Sequence, residues 1–362
     1  MRILFMISSI GIGGEQRVAS IITNYLVNEG NDVDIACFKR FPKSFKFNDN
    51  ICIKVIEKKG KTPKNLHRLM AIRKQIKLKS YDIIIGFGVI PSVIASLANV
   101  GLHHPVIVCE RNDPDVYPCL WKIIRSVAYN FAHGAIFQTK EASSYFKNEL
   151  FKRRIVIPNP LELDKIPDNA EKIRKKVIVN TSRLVPAKNH RMLIEAYSRI
   201  SNEFPEYRIE IYGDGELKDS LINLINRKKL SQRVKIFESV PNVLDKIKDS
   251  EIFVLTSNNE GFPNSLAEAM AMGIACISTD CRIGGPKDMI ENNQNGLLIN
   301  VNDINNLEKT LKKLINDNHL REQISKEAYQ IRYRLDSEKI CAMWIDFLNS
   351  FIVSANPNSK NW

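Results

Sequence analysis

The sequence contains no long apolar run. No stretch among its 362 residues approaches the roughly 18 to 20 consecutive apolar residues that a membrane-spanning helix needs. The opening segment, MRILFMISSIGIGG, carries one arginine and then an apolar run shorter than the core of a signal peptide. We therefore expect neither a spanning helix nor a secretory signal, and we interpret the first apolar run as a buried strand.

Cysteine is sparse and is not spaced for pairing or for metal binding. The seven cysteines are odd in number and none lies in C-x-x-C spacing, so neither a disulfide framework nor a zinc site is indicated. This usage predicts buried thiols that pack as small apolar side chains. It also predicts a reducing, cytoplasmic location.

Acidic residues are scarce in one part of the first half. The net charge is +13, and residues 1–164 hold 24 Lys and Arg against 14 Asp and Glu. The excess is densest from Lys39 to Lys79, where 14 basic residues accompany only Asp49 and Glu57. Such a segment favours an anionic partner within a Debye length, for which nucleic acid and anionic lipid headgroups are the candidates. A solvated basic surface without a partner is the alternative.

Short apolar runs alternate with longer amphipathic stretches along the chain. RILFMI, DVDIACF, DIIIGF, PVIVCE and GAIFQT read as strands separated by helices, and the pattern restarts near residue 170 with KVIVNTS. Strands that alternate with helices form parallel sheets through crossover connections. The prediction is an α/β protein with two Rossmann-like, doubly wound domains at 1–163 and 164–339, and a C-terminal helix at about 340–355.

The loops that follow strands are the candidate sites, because ligands of parallel sheets bind beyond the carboxyl ends of the strands. The first loop, SSIGIGGEQRV, brings Gly13 and Gly14 to a helix start, where backbone N–H groups attract anions. It departs from the dinucleotide fingerprint because Gln16 occupies the place of the last glycine. A loop that admits a sugar or phosphate is favoured, and a dinucleotide site or a simple tight turn are the alternatives.

Two loops of the second series carry cations or glycines. In NTSRLVPAKNH, Arg183 and Lys188 lie five positions apart on a loop bent by a proline, so a guanidinium and an ammonium could share one phosphate group. In IYGDGELKDSL, Gly213 and Gly215 flank an aspartate at a strand-to-helix turn. A solvated surface pair and structurally required glycines are the alternatives for these loops.

The segment EGFPNSLAEAM sets two carboxylates around a helix start. Glu260 precedes the turn, Asn264 or Ser265 is predicted to cap a helix that starts at Pro263, and Glu268 lies one turn into that helix. The carboxylates can accept hydrogen bonds from hydroxyls at the two ends of a ligand, while the N–H groups between them attract an anionic centre. A sugar, a diphosphate and a ribose use these three features, so the segment predicts a nucleotide-sugar site.

The chain resembles the retaining glycosyltransferases of family 4. These have two facing Rossmann-like domains, the GT-B fold, and a terminal helix that crosses back to the first domain. The resemblance extends over almost the whole chain and rests on GGEQRV, TSRLVPAKNHRMLIEAY, IYGDGE, EGFPNSLAEAMAMGIACISTD and GGPKDMIENNQNGLLINVND. It implies an N-terminal acceptor-binding domain and a C-terminal donor-binding domain.

The resemblance also implies a role for each matching residue. Arg183 and Lys188 would neutralise the donor diphosphate and Glu260 would hold the transferred sugar, which makes these three the predicted catalytic residues. The predicted donor-binding residues are Gly13, Gly14, Gly213, Phe262, Asn264, Ser265, Leu266 and Glu268, the last through the ribose hydroxyls. Family members generally need no metal or other cofactor, and no D-x-D motif follows a predicted strand.

Two features depart from the family pattern. Many relatives carry a histidine after the PVIVCE strand, whereas this chain reads CERNDPD. The candidates on the acceptor side are therefore Glu15, Arg111 and Asn112. The second departure is Pro263, which removes one backbone donor from the turn before Glu268.

The predicted function is transfer of a hexose or N-acetylhexosamine, with retention, from a nucleotide sugar to a glycan or lipid-linked acceptor in surface polysaccharide or lipopolysaccharide biosynthesis. UDP is the carrier that the family implies. The alternative is a non-catalytic protein of the same fold that binds sugar nucleotides or polyanions. The Lys39–Lys79 segment interleaves phenylalanines with its cations, which suits peripheral docking at the inner face of the cell membrane. No nucleic acid is expected, since no recognised motif accompanies the charge.

Overall fold

The computed structural model describes residues 1–56, 64–168 and 174–353. The chain divides into two compact units, one of Met1–Pro160 with the segment from Ser337 onward, and one of Leu161–Asp336. The predicted domain limits, at 163 and 339, each lie three residues beyond these bounds. None of the described helices combines the length and the apolarity required to cross a membrane.

The first unit is built on a parallel sheet. Its described strands are β1 (Arg2–Ile7), β2 (Asp32–Cys37), β3 (Cys52–Val55), β4 (Ile83–Phe87), β5 (Val106–Glu110), β6 (Gly134–Phe137) and β7 (Arg153–Val156). They lie in the order β3-β2-β1-β4-β5-β6-β7, and Ile3 of β1 pairs with Val33 on one side and Ile83 on the other. The strand order changes direction between β1 and β4, and a crevice forms at such a point beyond the carboxyl ends of the strands.

Helices cover this sheet. They are α1 (Gly14–Asn28), α2 (Lys64–Leu78), α3 (Val89–Ala98), α4 (Cys119–Tyr129) and α5 (Lys140–Ser144). Helix α1 buries Val18, Ile22 and Leu26, which recur at helical spacing on one face. Helix α2 packs against α3, and α3 packs against α4, so these three helices form one layer.

The second unit repeats the architecture. Its described strands are β8 (Lys175–Thr181), β9 (Arg208–Tyr212), β10 (Val234–Phe237), β11 (Ser250–Leu255), β12 (Ala275–Thr279) and β13 (Leu297–Ile299). They lie in the parallel order β10-β9-β8-β11-β12-β13, so the direction changes between β8 and β11. Every residue of β11 is buried, as expected of a central strand covered on both faces.

The remaining helices follow in chain order. They are α6 (His190–Ile200), α7 (Lys218–Arg227), α8 (Val243–Ile247), α9 (Asn264–Ala271), α10 (Gly285–Met289), α11 (Ile304–Asn316), α12 (Asn318–Tyr329), α13 (Ile331–Leu335) and α14 (Ser337–Val353). Asp303 caps α11 and Asp317 caps α12, each accepting a backbone N–H at 2.9 Å. The predicted α/β class, with two Rossmann-like parallel sheets, is confirmed.

The last helix belongs to the first unit. Helix α14 packs against α1 and buries Ile340, Trp344 and Leu348 in the core of that unit. The rings of Trp344 and Phe87 lie 6.2 Å apart. The helix was predicted at about 340–355; it spans Ser337–Val353, and residues 354 and 355 lie outside the described ranges.

Candidate functional site

The loops after β8 and β11 meet at the change of strand direction in the second unit. There Lys188 and Glu260, 72 positions apart in the chain, form an ion pair between Nζ and Oε1. Ser257 Oγ donates a hydrogen bond to the same Oε1 at 2.6 Å. Both contacts end on Oε1, and within the described ranges Oε2 of Glu260 has no hydrogen-bond partner, so it can accept from a ligand hydroxyl.

Hydrogen bonds fix the backbone on both sides of Lys188. Thr256 Oγ1 donates to the Lys188 carbonyl at 3.0 Å, and the Asn258 N–H donates to the Ala187 carbonyl at 2.8 Å. Lys188 ends a short 3₁₀ turn, and Asn189 then takes a left-handed conformation with φ of 46°, which asparagine tolerates. The ammonium group is therefore held by the loops themselves as well as by Glu260.

Arg183 lies on the same loop with its side chain exposed. Its guanidinium group makes no hydrogen bond or ion pair with any residue in the described ranges. The backbone beside it is anchored, because Leu184 accepts from the Leu217 N–H at 3.0 Å and donates to the Asp214 carbonyl at 2.9 Å. A fixed loop thus carries an available planar donor, the kind of group that binds phosphate oxygens.

Gly213 acts on this loop through packing. A Cβ atom at Gly213 would lie 2.0 Å from the carbonyl oxygen of Ser182, closer than any real contact. The glycine therefore allows the turn after β9 to pass against the residue that precedes Arg183. Its predicted donor contact stays a prediction.

His190 begins α6 and is a buried neighbour that the sequence reasoning did not single out. Its Nε2 lies 2.9 Å from Ser182 Oγ and 3.2 Å from Asn180 Oδ1. Burial, reinforced by the charge of Lys188, lowers the pKa of His190 to about 4. The imidazole is neutral at pH 7, so the positive charge at this crevice comes from Lys188 and Arg183.

Helix α9 follows the Glu260 turn, and one detail of its prediction is wrong. Pro263 is the N-cap residue, and Asn264 and Ser265 are the first residues of the helix. A side-chain cap comes from the residue before the first helical turn, and proline has no side-chain acceptor, so neither Asn264 nor Ser265 caps α9. Both side chains are half-buried.

The other predicted residues of this segment lie deeper. Leu266 and Phe262 belong to an apolar core cluster, and the Leu266 N–H donates to the Pro263 carbonyl at 3.1 Å. Glu268 is buried on α9. The structure thus brings Lys188 and Glu260 into contact, while it encloses the Leu266 side chain in the core.

A third loop, after β12, braces the Glu260 turn. Thr279 Oγ1 donates to the Ser257 carbonyl at 2.6 Å, and a Cβ atom at Gly285 would lie 2.1 Å from the Gly261 carbonyl oxygen. Between these contacts Ile283 has φ of 72°, a conformation that costs a β-branched residue about 1–3 kcal/mol. The strain is held by close packing on both sides of the loop.

The predicted acceptor-side residues follow the carboxyl ends of β1 and β5 in the first unit. Glu15 stands in the first turn of α1, and a Cβ atom at Gly88, after β4, would lie 2.8 Å from its Oε1. Burial raises the pKa of Glu15 to about 7, although the charge of Arg111 opposes the rise. Gly13 and Gly14 open the same helix; the other predicted donor-binding residues belong to the second unit.

Arg111 follows β5 and is buried. Its guanidinium lies over the Phe87 ring, 4.3 Å from the centroid, and donates to Asn159 Oδ1 at 2.5 Å. Burial lowers the pKa of Arg111 to about 10, which still leaves it charged at pH 7. Asn112, the next residue, is exposed. A half-buried glutamate, a buried arginine and an exposed asparagine are therefore the predicted acceptor-side groups of the first unit.

Glu110 is a further buried carboxyl at the end of β5. The Tyr129 hydroxyl donates to Glu110 Oε1 at 2.6 Å, and Arg125 Nη1 lies 3.7 Å from the same oxygen. Burial raises the pKa of Glu110 to about 7, against the opposing charge of Arg125. This cluster ties α4 to the sheet.

Two protein families match successive parts of the chain. Residues 15–110 match the glycosyl transferase 4-like family, and residues 163–331 match glycosyl transferases group 1. A Campylobacter jejuni relative, a GalNAc-α-(1→4)-GalNAc-α-(1→3)-diNAcBac-PP-undecaprenol α-1,4-N-acetyl-D-galactosaminyltransferase, is 26% identical over 96% of this chain and 98% of its own. An Escherichia coli relative, a UDP-Gal:α-D-GlcNAc-diphosphoundecaprenol α-1,3-galactosyltransferase, is 27% identical over 84% of this chain and 86% of its own.

Solved structures share the fold. HepE of Anabaena in complex with UDP aligns over 97% of this chain and all of its own, with a TM-score of 0.81 at 19% identity. A sucrose-phosphate synthase of Thermosynechococcus elongatus aligns over 98% of this chain and 99% of its own, with a TM-score of 0.83 at 14% identity. With both units matched by glycosyltransferase families and the two-sheet fold shared along the chain, the protein belongs to the GT4-like glycosyltransferases of the GT-B fold.

Proposed function

We propose that this glycosyltransferase transfers a hexose or N-acetylhexosamine from a UDP-sugar to a lipid-linked glycan acceptor, with retention of anomeric configuration. The sugar class and carrier are supported by relatives named for galactose or N-acetylgalactosamine transfer and by a related fold solved with UDP-glucose. The acceptor class is supported by relatives named for undecaprenol diphosphate acceptors. Such acceptors belong to surface polysaccharide or lipopolysaccharide biosynthesis.

The contact between Lys188 and Glu260 carries the proposal. It places a cation and a carboxylate with a free oxygen side by side at the crevice of the second unit, with the exposed guanidinium of Arg183 on the same loop. The cations can neutralise a diphosphate, and the carboxylate can accept hydrogen bonds from the hydroxyls of the transferred sugar. The ribose is assigned to Glu268, on the helix that follows.

The chemistry follows from where charge develops. The bond between the sugar C1 and the phosphate oxygen breaks, and Lys188 and Arg183 stabilise the charge that grows on the departing UDP. A bond from C1 to the acceptor oxygen forms on the same face, and the departing phosphate oxygen takes the acceptor hydroxyl proton. Glu260 orients the sugar through its hydroxyls, so the protein supplies position and charge. No metal enters this scheme.

The acceptor side is assigned to the first unit. Glu15 and Arg111, with Asn112, offer a carboxyl, a guanidinium and an amide for hydroxyl and phosphate groups of the acceptor. A lipid-linked acceptor requires the enzyme to work at a membrane surface, so we place the protein in the cytoplasm and peripherally on the inner face of the membrane. The basic segment Lys39–Lys79 would favour this location; its residues 57–63 lie outside the described ranges.

Thermal unfolding with candidate donors tests the proposal. A UDP-sugar at about 100 times its dissociation constant adds about 2.7 kcal/mol to the stability of the folded enzyme, and UDP alone shows the share due to the carrier. Arg183→Ala should lose most of this shift, because it removes the guanidinium proposed to bind the diphosphate. The midpoint without ligand should be unchanged, since this guanidinium makes no hydrogen bond or ion pair with the described residues. A protein stabilised by UDP-sugars that neither hydrolyses nor transfers them would be the non-catalytic binder instead.

A further inference from the structure

The first unit exposes an apolar helix face that the proposed chemistry does not use. Large apolar side chains recur every three or four residues along α4 and its flanks, with 44–67% of their surface accessible: Val116, Leu120, Ile123, Val127 and Phe131. The other exposed positions within α4 are Cys119 and Ser126, and the half-buried Lys122, paired with Asp115 at 2.9 Å, borders this face. We call it the α4 face.

The buried side of the same helix includes a charged residue and a hydroxyl group, beside the apolar Ala128. Arg125 is buried and donates to the Pro114 carbonyl at 3.0 Å, and the buried Tyr129 donates to Glu110. A helix on the surface of a soluble protein normally turns its apolar side inward and its charges outward. Helix α4 buries Arg125 and also exposes Leu120, Ile123 and Val127, and such exposed apolar side chains are expected where a surface meets an apolar medium.

Positive charge accompanies the α4 face on the same layer of the unit. Helix α2, joined to α4 through α3, exposes Lys64, Lys74 and Lys77 and contains no acidic residue. Exposed apolar side chains, Leu66, Met70 and Leu78, lie among these lysines. Cations beside apolar side chains are the composition that binds anionic lipid headgroups and the acyl boundary below them.

The charge also argues against a second copy of this chain as the occupant. In a symmetric pair built on this layer, the lysine-rich α2 would approach a like-charged layer, and like charges across an interface disfavour association. An anionic bilayer has the complementary sign. The α4 face also follows directly in sequence from Arg111 and Asn112, the proposed acceptor-side residues.

We propose that the layer of α2, α3 and α4 docks this enzyme on an anionic lipid bilayer, with the α4 face inserted at the headgroup boundary and the α2 lysines on the headgroups. The inference rests on the proposed function for one point only, that the acceptor is held in such a bilayer. The proposed docking surface includes α4, which lies outside the Lys39–Lys79 segment, as well as α2, which lies within it.

Two exposed cysteines give a direct test in the unaltered protein. Cys119 lies on the α4 face, and Cys52 begins the edge strand β3. Vesicles of phosphatidylglycerol and phosphatidylcholine should slow maleimide labelling of Cys119 about fivefold or more, because insertion shields the helix from water, and should leave Cys52 unchanged. Slowing at Cys52 alone, or an unchanged rate at Cys119 while the protein cosediments with vesicles, would overturn the proposal.

A pair of substitutions completes the test. The variant Leu120→Glu/Ile123→Glu should reduce binding to the same vesicles about tenfold or more, since it places charge in the inserted face. Tyr333→Glu, at a site 67% exposed in the second unit, is the matched control and should bind as the unaltered protein does. If the paired variant binds vesicles normally, the α4 face is not the membrane contact and the proposal fails. If the unaltered protein is also a dimer and the paired variant a monomer, the face is a self-association surface.

UDP-sugar hydrolysis in the absence of vesicles separates this inference from the proposed function. The unaltered protein and the paired variant should hydrolyse the donor at equal rates, because the substitutions lie in the first unit and outside its proposed acceptor residues. If neither protein hydrolyses or transfers the donor, while the unaltered protein binds vesicles and the paired variant does not, the proposed function is rejected and the docking surface stands.

Discussion

Replacing Lys188 with alanine tests the central contact of the proposed site. The side chains of Lys188 and Glu260 are 17% and 10% exposed, so the ion pair lies between a surface pair and a fully buried one. Surface pairs contribute about 0–1 kcal/mol, and removing one partner of a buried pair costs about 3–5 kcal/mol. We therefore expect a loss of about 2 kcal/mol, or about 4–8 °C in the midpoint of the second unit.

The expected effect on catalysis is larger than the effect on stability. Loss of one preorganised group that stabilises developing charge reduces turnover about 10²–10³-fold. The loop should persist in the variant, because Thr256 and Asn258 bind its backbone and not the Lys188 side chain. Lys188→Arg restores the charge without the compact geometry of an ammonium and should recover only part of the rate.

UDP release with a saturating donor and acceptor is the appropriate assay. Lys176→Ala is the control, since Lys176 pairs with Glu206 at 3.3 Å on the surface of the same unit. A cycle with Glu260→Gln should show strong coupling, because either single change already breaks the pair. Turnover of Lys188→Ala within about threefold of the unaltered enzyme would refute the assignment of Lys188 to the departing diphosphate.

Three further predictions concern the scaffold. Burial raises the pKa of Glu110 from 4.5 to about 7, so the folded protein loses stability as pH rises through this window. Glu110→Gln should therefore raise the thermal midpoint at pH 8 relative to the unaltered protein and lose that advantage near pH 5. An equal difference in midpoint at both pH values would instead show that the Glu110 carboxyl is ionised throughout. Gly213→Ala should weaken UDP binding and lower the thermal midpoint, because its Cβ would meet the Ser182 carbonyl at 2.0 Å. Gly101→Ala is the control: this position has open space but φ of 75°, so the substitution should cost only about 1 kcal/mol and leave UDP binding unchanged. Trp344→Ala should destabilise the first unit by about 3–5 kcal/mol in denaturant unfolding, and a loss below about 1 kcal/mol would contradict its place in the core.

The central strands and the site loops could be predicted from the sequence. Runs such as RILFMI and IFVL are almost wholly apolar because strands buried on both faces need no polar side. Their order places the loops of Lys188 and Glu260 at one crevice, since parallel strands present their carboxyl ends on the same edge. The sign and spacing of these residues then suffice to predict a diphosphate site.

The edge strands of the first sheet were not predicted, for a physical reason. Strands β3 and β7 have sequences CIKV and RRIV, which are short and only partly buried, so their apolar pattern is weak. Helix α2 lies within the Lys39–Lys79 segment, where charge obscured a helical pattern of few apolar residues. Edge strands and helices bury fewer residues than central ones, so hydrophobic periodicity is less informative about their position in the sequence.

Partners of the site residues were missed for a different reason. Thr256 and Ser257 follow a buried strand directly, and this placement was a signal that could have identified them. His190 gave no such signal, because its neutral state follows from burial and from the nearby charge of Lys188, which only the folded structure reveals. The outward apolar side of α4 also escaped prediction, since helical spacing reveals that two faces differ but not which one the fold covers.

The position of α14 separates the order in which the two units are synthesised from the order in which they can be completed. The second unit, Leu161–Asp336, is one continuous stretch of chain. The core of the first unit contains both Phe87 and Trp344, so it lacks Trp344 until α14 leaves the ribosome. The half of the protein that is translated first therefore acquires its native interior last, with an apolar surface open to solvent throughout translation. For this chain the usual sequence of cotranslational folding, from N-terminus to C-terminus, is reversed.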